Sequence, residues 1–335
     1  MNTTTRGRLP LLGRGALASA IALLLSAGVA GASQSVPAPV EGVVVGSLPL
    51  PTSENDRPAI QSPMGPGCLD LPRSEIDRPD IVPQPSIHVV YLVAADSPDQ
   101  LLDVDGTLNC TIEAQNDWML QQSGLRWNFD TFSYVHMKNG RKRVTEAIDA
   151  TFVRSALPAA KLGGASQVRD ELMRLGFARS GKRYLTYVMG KYTTFCGDAI
   201  YPVSGPSEER PDGIYAQVYL SAAGACNAQW FGRPGNASWS DAIAQQELLH
   251  AEGLTAIGAP RSCPMVLPFA HICTAALFYT EESFELDPER VDLMYPYVSL
   301  PLSEKVLDRG NDDYFDHKLP LADLIDSPYL VRGSG

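Results

Sequence analysis

The sequence predicts an α/β domain with a mixed sheet, standing behind an export signal and a proline-rich leader. Three observations carry that expectation. Apolar runs of strand length alternate with segments of helical period from Ile87 onward. Residues 33–85 hold 11 of the 26 prolines and show little hydrophobic periodicity. The N-terminal residues have the charge and hydropathy profile of a targeting segment.

The elements follow in order. Arg6, Arg8 and Arg14 precede an apolar run from Ala16 to Ala30, and Ala30-Gly31-Ala32 offers an A-x-A cleavage site. That run is too short and wrongly flanked for a membrane anchor, so residues 1–32 read as a secretory signal peptide. The chain is accordingly expected to be secreted and extracellular. Residues 33–85 read as a disordered leader or linker, because so little apolar surface cannot offset the entropy of ordering. The domain itself is placed at 86–335. Ile87–Val93 is a near-continuous apolar run, typical of a buried strand. Thr107–Gln122 has helical spacing with Gly124 beyond its end, and Leu125–Asp130 alternates as a half-exposed strand. Val144–Arg154 and Gln167–Leu175 are expected as helices, Arg183–Met189 and Ile214–Leu220 as strands. A further helix starts near Ser238 or Ser240 and stops at Gly253. Beyond it the chain is loop-rich until a short segment near Leu321–Val331.

Composition limits the partners. A formal charge of −11 over 335 residues argues against a binder that neutralises nucleic-acid phosphates, and equally against adhesion to anionic membranes. Loss of the signal peptide removes three arginines and takes the charge to −14. Six cysteines in an exported chain suggest up to three disulfides, although six allow roughly 15 connectivities. Proximity favours Cys263–Cys273 and Cys196–Cys226, which leaves Cys68–Cys110 by subtraction. None has C-x-x-C spacing, which disfavours a redox or zinc-thiolate site.

The chemistry concentrates in Gln245-Gln246-Glu247-Leu248-Leu249-His250-Ala251-Glu252-Gly253. In H-E-x-x-H, two histidines one helical turn apart hold zinc while the glutamate between them activates water. Here His250 and Glu247 are present and Gln246 stands at the first histidine. Alone, Q-E-x-x-H is also met as an ordinary polar pair on a helix face. Its context is richer: Gly253 follows His250 by three, then come Ala259-Pro260, Ala270-His271-Ile272-Cys273 and Asp292-Leu293-Met294-Tyr295. In that order these motifs resemble those of secreted bacterial metzincin-like metallopeptidases, which carry H-E-x-x-H-x-x-G-A-V, A-P, G-H-C and D-x-M-x-Y. The resemblance extends to Tyr91-Leu92-Val93, Asp105-Gly106-Thr107, the Cys196 and Cys226 flanks and Ser327-Pro328-Tyr329-Leu330, spanning residues 87–330.

The resemblance implies one zincin/metzincin-like domain with a mixed sheet, an active-site helix and a loop-rich C-terminal part. It implies zinc held by His250, His271 and Gln246, with Glu247 as general base in peptide hydrolysis. Met294 would form the turn beneath the metal, and Tyr295 or Tyr297 would stabilise the transition state, since Pro296 occupies the usual tyrosine position. Gln246 is the main departure, because an amide oxygen is an unusual zinc ligand beside imidazole. Its substitution would weaken binding by about two orders of magnitude if one ligand contributes ~3 kcal/mol. A peptide or protein substrate for a monomeric enzyme is one expectation, a catalytically inactive relative acting as a binding or inhibitory module is the second, and an exported structural or interaction domain with an accidental motif match is the third. The remaining histidines have plainer readings: His88 in a strand, His136 at a surface turn, and His317 in a charged, solvated loop, where its imidazole is nonetheless an alternative ligand to His271.

Overall fold

All eight residues of Ser86–Val93 are buried, so this strand (β1) needs cover on both faces. The computed structural model describes residues 69–83, 85–190, 196–200, 214–221, 231–254, 291–295, 300–319 and 323–333. Residues 1–68, which include the expected signal peptide and most of the expected leader, lie outside them. In chain order the elements are β1, α1 (Thr107–Ser123), β2 (Leu125–Trp127), β3 (Thr131–Lys138), β4 (Arg141–Ile148), β5 (Ala150–Arg154), α2 (Ala165–Arg174), β6 (Lys182–Gly190), β7 (Gly197–Ile200), β8 (Ile214–Ser221), α3 (Trp239–Ala251) and β9 (Leu330–Arg332).

The main sheet has the order β5-β1-β6-β8-β7. Its first four strands are parallel, and β7 runs antiparallel to β8 at the edge. Alternate residues of β1 enter two separate cores. Ile87, Val89, Tyr91 and Val93 pack with α1, α3 and the C-terminal residues, whereas Val90 and Leu92 pack with Val168 and Leu172 of α2. The fold is therefore a mixed α/β sheet between helices. Among the described residues no helix is long and apolar enough to cross a membrane.

The expected strands at Ile87, Arg183 and Ile214 are all present, as are the helices at Thr107, Gln167 and Ser238. α1 ends where Gly124 turns left-handed (φ 75°) and donates its N–H to Leu120 O. Leu125–Asp130 is strand only as far as Trp127; Asn128 O and the Asp130 N–H instead bond Ile87 of β1. The expected helix over Val144–Arg154 is absent and the segment forms β4 and β5. Asn139 and Gly140, both at positive φ, reverse the chain into a hairpin. β-branched Val144, Thr145, Thr151 and Val153 then favour strand over helix.

The leader is also more ordered than its composition suggests. Residues 69–83 lie as a strap against the domain, and Ser74 pairs in parallel with Thr151, covering the outer edge of β5. Arg73 grips Asp103 with two nitrogens (2.8 and 2.7 Å) and Asp99 with a third (2.7 Å), its guanidinium 3.7 Å above the Phe152 ring. Arg78 pairs with buried Asp149. Asp77 and Asp80 of the strap both reach Lys182 Nζ, which also meets fully buried Asp130 at 2.8 Å. Fixed charges thus supply the ordering that apolar burial could not. Neither Cys110 nor Cys196 is a free thiol. The pairings Cys68–Cys110 and Cys196–Cys226 each have one half outside the described residues, and Cys263–Cys273 lies wholly outside them.

Replacing Lys182 by Met leaves the Asp130 carboxylate in the interior without its lysine partner. The expected loss is ~3–5 kcal/mol, read from urea denaturation midpoints, whereas Arg179→Ala at the exposed rim of the same cluster costs under ~1 kcal/mol.

Candidate functional site

α3 lacks an amphipathic stripe: 12 of its 13 residues are buried. Apolar burial alone therefore cannot choose which face meets which neighbour. The choice is made by polar groups. Asp241, in the first turn, accepts the Ser238 N–H (2.6 Å) at the helix start. It also accepts from Thr111 and from Gln115 Nε2 on α1. One turn on, Gln245 Nε2 donates to Gln115 Oε1 (3.1 Å), and Gln245 Oε1 accepts from Trp127 Nε1 (2.7 Å). At the far end Glu252 meets Arg183 Nε (2.9 Å) and the Ser327 hydroxyl (2.7 Å). Burial raises the Glu252 carboxyl against that pairing, and raises Asp241 to about 6.

With that face fixed, the residues that the sequence singles out lie elsewhere on the helix. Gln246 turns toward the segment Asp292–Tyr295: its Nε2 donates to Tyr295 O (3.1 Å) and Leu293 O (3.4 Å). Two carbonyl partners identify that end of the amide as the nitrogen. Glu247 turns toward β7, where Gly197 has no side chain to obstruct it. A Cβ at Gly197 would stand 2.5 Å from Glu247 Oε1 and 2.7 Å from Ile243 Cγ2. Burial, followed by the charge of Asp198, holds the Glu247 carboxyl well above its ordinary range. Asp198 itself accepts the Ala165 N–H at the start of α2 (3.0 Å). His250 is buried one turn beyond Gln246.

The turn beneath is built by Asp292. Its Oδ1 accepts the Met294 N–H (2.8 Å) and the Tyr314 hydroxyl (2.9 Å), and its Oδ2 accepts the Arg309 N–H (2.7 Å). Asp308 in turn organises the following loop by accepting the N–H groups of Tyr314 and Phe315 (2.8 Å each). Met294 and Tyr295 are fully buried, and the Tyr295 ring faces Lys305 Nζ at 5.8 Å. The structure therefore brings Gln246 and the Met294 turn together, and Glu247 against β7. His271 and Tyr297 lie outside the described residues.

The other histidines divide. His88 is a sheet residue, held between Asp130 (3.1 Å) and Thr151 (3.0 Å). His136 is half-buried and stacks on Tyr134. His317, expected in a solvated loop, is instead buried, with Nδ1 accepting the Leu319 N–H (3.3 Å) and lying 3.8 Å from Asp323. Ser327 and Tyr329 serve the fold: the first bonds Glu252, and the ring of the second lies under Arg183 at 4.3 Å. Sequence reasoning missed Gly197, Asp198, Asp308 and Tyr314. It also missed Asp241, although Ser238-x-x-Asp241 carries a helix-start signal.

Among the described residues, the acidic and histidine groups that converge tightly enough for a metal are Asp77/His88/Asp149, Asp77/Asp80/Asp130 and Asp292/Asp308/Asp313, none of them on α3. The first two already serve Arg78 and Lys182. No family model, curated protein or solved structure matches this chain.

Two tests follow from this geometry. Gly197→Ala forces β7 and α3 apart and costs ~1–3 kcal/mol, measured by thermal unfolding. Burial raises Asp292 to about 7, so the folded chain keeps a proton there that the unfolded chain releases near pH 4. Its contribution to stability therefore declines as pH rises from about 4 to about 7. Asp292→Asn flattens the profile of denaturation midpoints across that window.

Proposed function

We propose that this chain is an exported metallopeptidase-like protein that holds an extended polypeptide along β7, beside Glu247, as a binding module without hydrolysis. The observation that carries the reading is the pair of hydrogen bonds from Gln246 Nε2 to the carbonyls of Leu293 and Tyr295. At the position where the resembling family has a zinc-binding histidine, this side chain ties the helix to the turn below it. Among the described residues the donor set is then one imidazole, His250, and one amide oxygen. A catalytic zinc site takes three protein ligands, and Gln246, which holds the turn through its amide nitrogen, is a poor one beside imidazole. His271, the further ligand that the resemblance offers, lies outside the described residues.

β7 supports the binding half of the proposal. It is an edge strand, and among the described residues it pairs only with β8. An extended segment can add to such an edge through its own main-chain groups, without a requirement for catalysis.

Hydrolysis is the second reading, and one observation favours it. Burial, and then the charge of Asp198, hold the Glu247 carboxyl well above its ordinary range, the direction in which a general base is tuned.

Zinc content by mass spectrometry on the full exported chain separates the two, with Gln246→His and His250→Ala measured alongside. The binding reading expects no stoichiometric zinc in the native protein, and zinc uptake in Gln246→His. Near-stoichiometric zinc in the native chain, lost in His250→Ala and accompanied by peptide cleavage that Glu247→Gln abolishes, would establish the hydrolytic reading instead. Absence of zinc from every variant would remove the metallopeptidase likeness altogether.

A further inference from the structure

β3 and β4 form a two-stranded sheet of their own, apart from the main sheet. Each strand is eight residues long, so the ribbon extends roughly 27 Å at strand rise. One of its faces is unpacked. Val135 is 55% exposed, Val144 directly opposite is 70% exposed, and Met137, next along the same face, is 64% exposed. The other face is half-buried: Tyr134 stacks on His136, and Phe132 lies under the Arg78 guanidinium.

Charge on the ribbon runs against the rest of the molecule. Lys138, Arg141, Lys142 and Arg143 cluster at its tip, and Glu146 is its only acid, in a chain of net charge −11. All four cations are exposed, and among the described residues none of them forms an ion pair. This contrasts with Arg73, Arg78 and Lys182, each committed to carboxylates of the fold. Beside β3 lies a groove of about 550 Å³, lined by Tyr134, Val135, Met137 and Lys142 and closed by Leu69 and Asp70 of the strap.

Lysine and arginine on an open edge commonly serve to prevent edge-to-edge aggregation. Here the same charges select rather than merely exclude. They repel the tip of a second copy, and they attract a strand that carries carboxylates. A strand edge supplies N–H and C=O groups, the exposed stripe supplies apolar contact on alternate positions, and the tip supplies positive charge. That combination matches an extended acidic polypeptide with apolar residues at every second position.

We propose that the β3–β4 ribbon is a docking site for an acidic, extended polypeptide segment, added along the ribbon edge with its carboxylates facing Lys138, Arg141, Lys142 and Arg143. This site is separate from Gln246, Glu247 and His250, and it does not depend on zinc. The negative remainder of the chain repels such a segment elsewhere, so the ribbon is its favoured landing place.

The test uses the full exported chain and a fluorescent peptide of about ten residues alternating glutamate with valine, followed by anisotropy. Binding is expected at low salt, weakening steeply between roughly 50 and 300 mM salt. The Lys142→Glu/Arg143→Glu double variant is expected to bind at least ~10-fold more weakly, and Val135→Ser/Met137→Ser to weaken binding by a smaller factor. These residues are exposed, so an unchanged melting temperature shows that loss of binding is not loss of fold. Lys161→Glu, which reverses an exposed charge away from both the ribbon and α3, is expected to bind as the native chain does, which ties the loss to the cations of the ribbon. Equal affinity of the native and double-variant chains would place the peptide elsewhere and overturn the proposal. So would failure of the native chain to bind the peptide, or charge-dependent capture of phosphatidylserine-rich vesicles in its place.

Discussion

The arrangement of the candidate site depends on the buried carboxyl of Asp241. A helix enclosed on nearly all sides could rotate or slip by one residue and lose little apolar contact. Asp241 removes that freedom because its acceptors are matched to donors on specific partners: the Ser238 N–H, Thr111 and Gln115. Any other rotation would leave a carboxyl in the interior without those bonds. That penalty exceeds the difference between alternative apolar packings. Gln245 and Trp127 extend the same logic by one turn. The orientation of Gln246, Glu247 and His250 follows from this as a geometric remainder, since they occupy the faces that the polar seam leaves over.

A second polar centre works at the opposite end of the sheet strands. There Asp130, Lys182 and His88 join the starts of β1 and β6, and the strap brings Asp77 and Asp80 to them. Hydrogen bonds from His88, Lys182 and Ser86 hold the Asp130 carboxyl below its ordinary value despite the opposing effect of burial. The two centres differ in kind. One is a network of largely neutral hydrogen bonds that orients a helix, and the other is a set of charges that recruits a segment whose Ile76 and Ile81 stay exposed.

The sheet was legible in the sequence wherever burial was two-sided. β1, β6 and β8 are largely apolar runs, and that pattern has few competing interpretations. The hairpin was not legible, because its exposed faces carry mixed residues whose spacing also suits a helix over Val144–Arg154. What decides it is the Asn139-Gly140 reversal, a two-residue signal that outweighs the periodicity around it. The site divides along the same line. Glu247, His250 and the Met294 turn could be found because motif spacing survives in a linear text. Gly197 and Asp198 could not, since they matter only after β7 is folded against α3. The strap was obscured by its own composition: hydrophobicity measures what a segment can bury, and this segment is held by ions instead.

That ionic attachment has a consequence for the order of folding. Asp77 and Asp80 find Lys182 across 105 and 102 residues of chain, and Arg78 finds Asp149 across 71. The strap emerges before every strand of the sheet, and Asp77 and Asp80 have no lysine to hold until β6 has taken its place. Its docking is therefore a late, long-range closure, rewarded only after the parallel sheet has assembled, and its contacts belong to the unfolding barrier more than to the folding one. A segment at the very front of the domain thus acts as its final fastening.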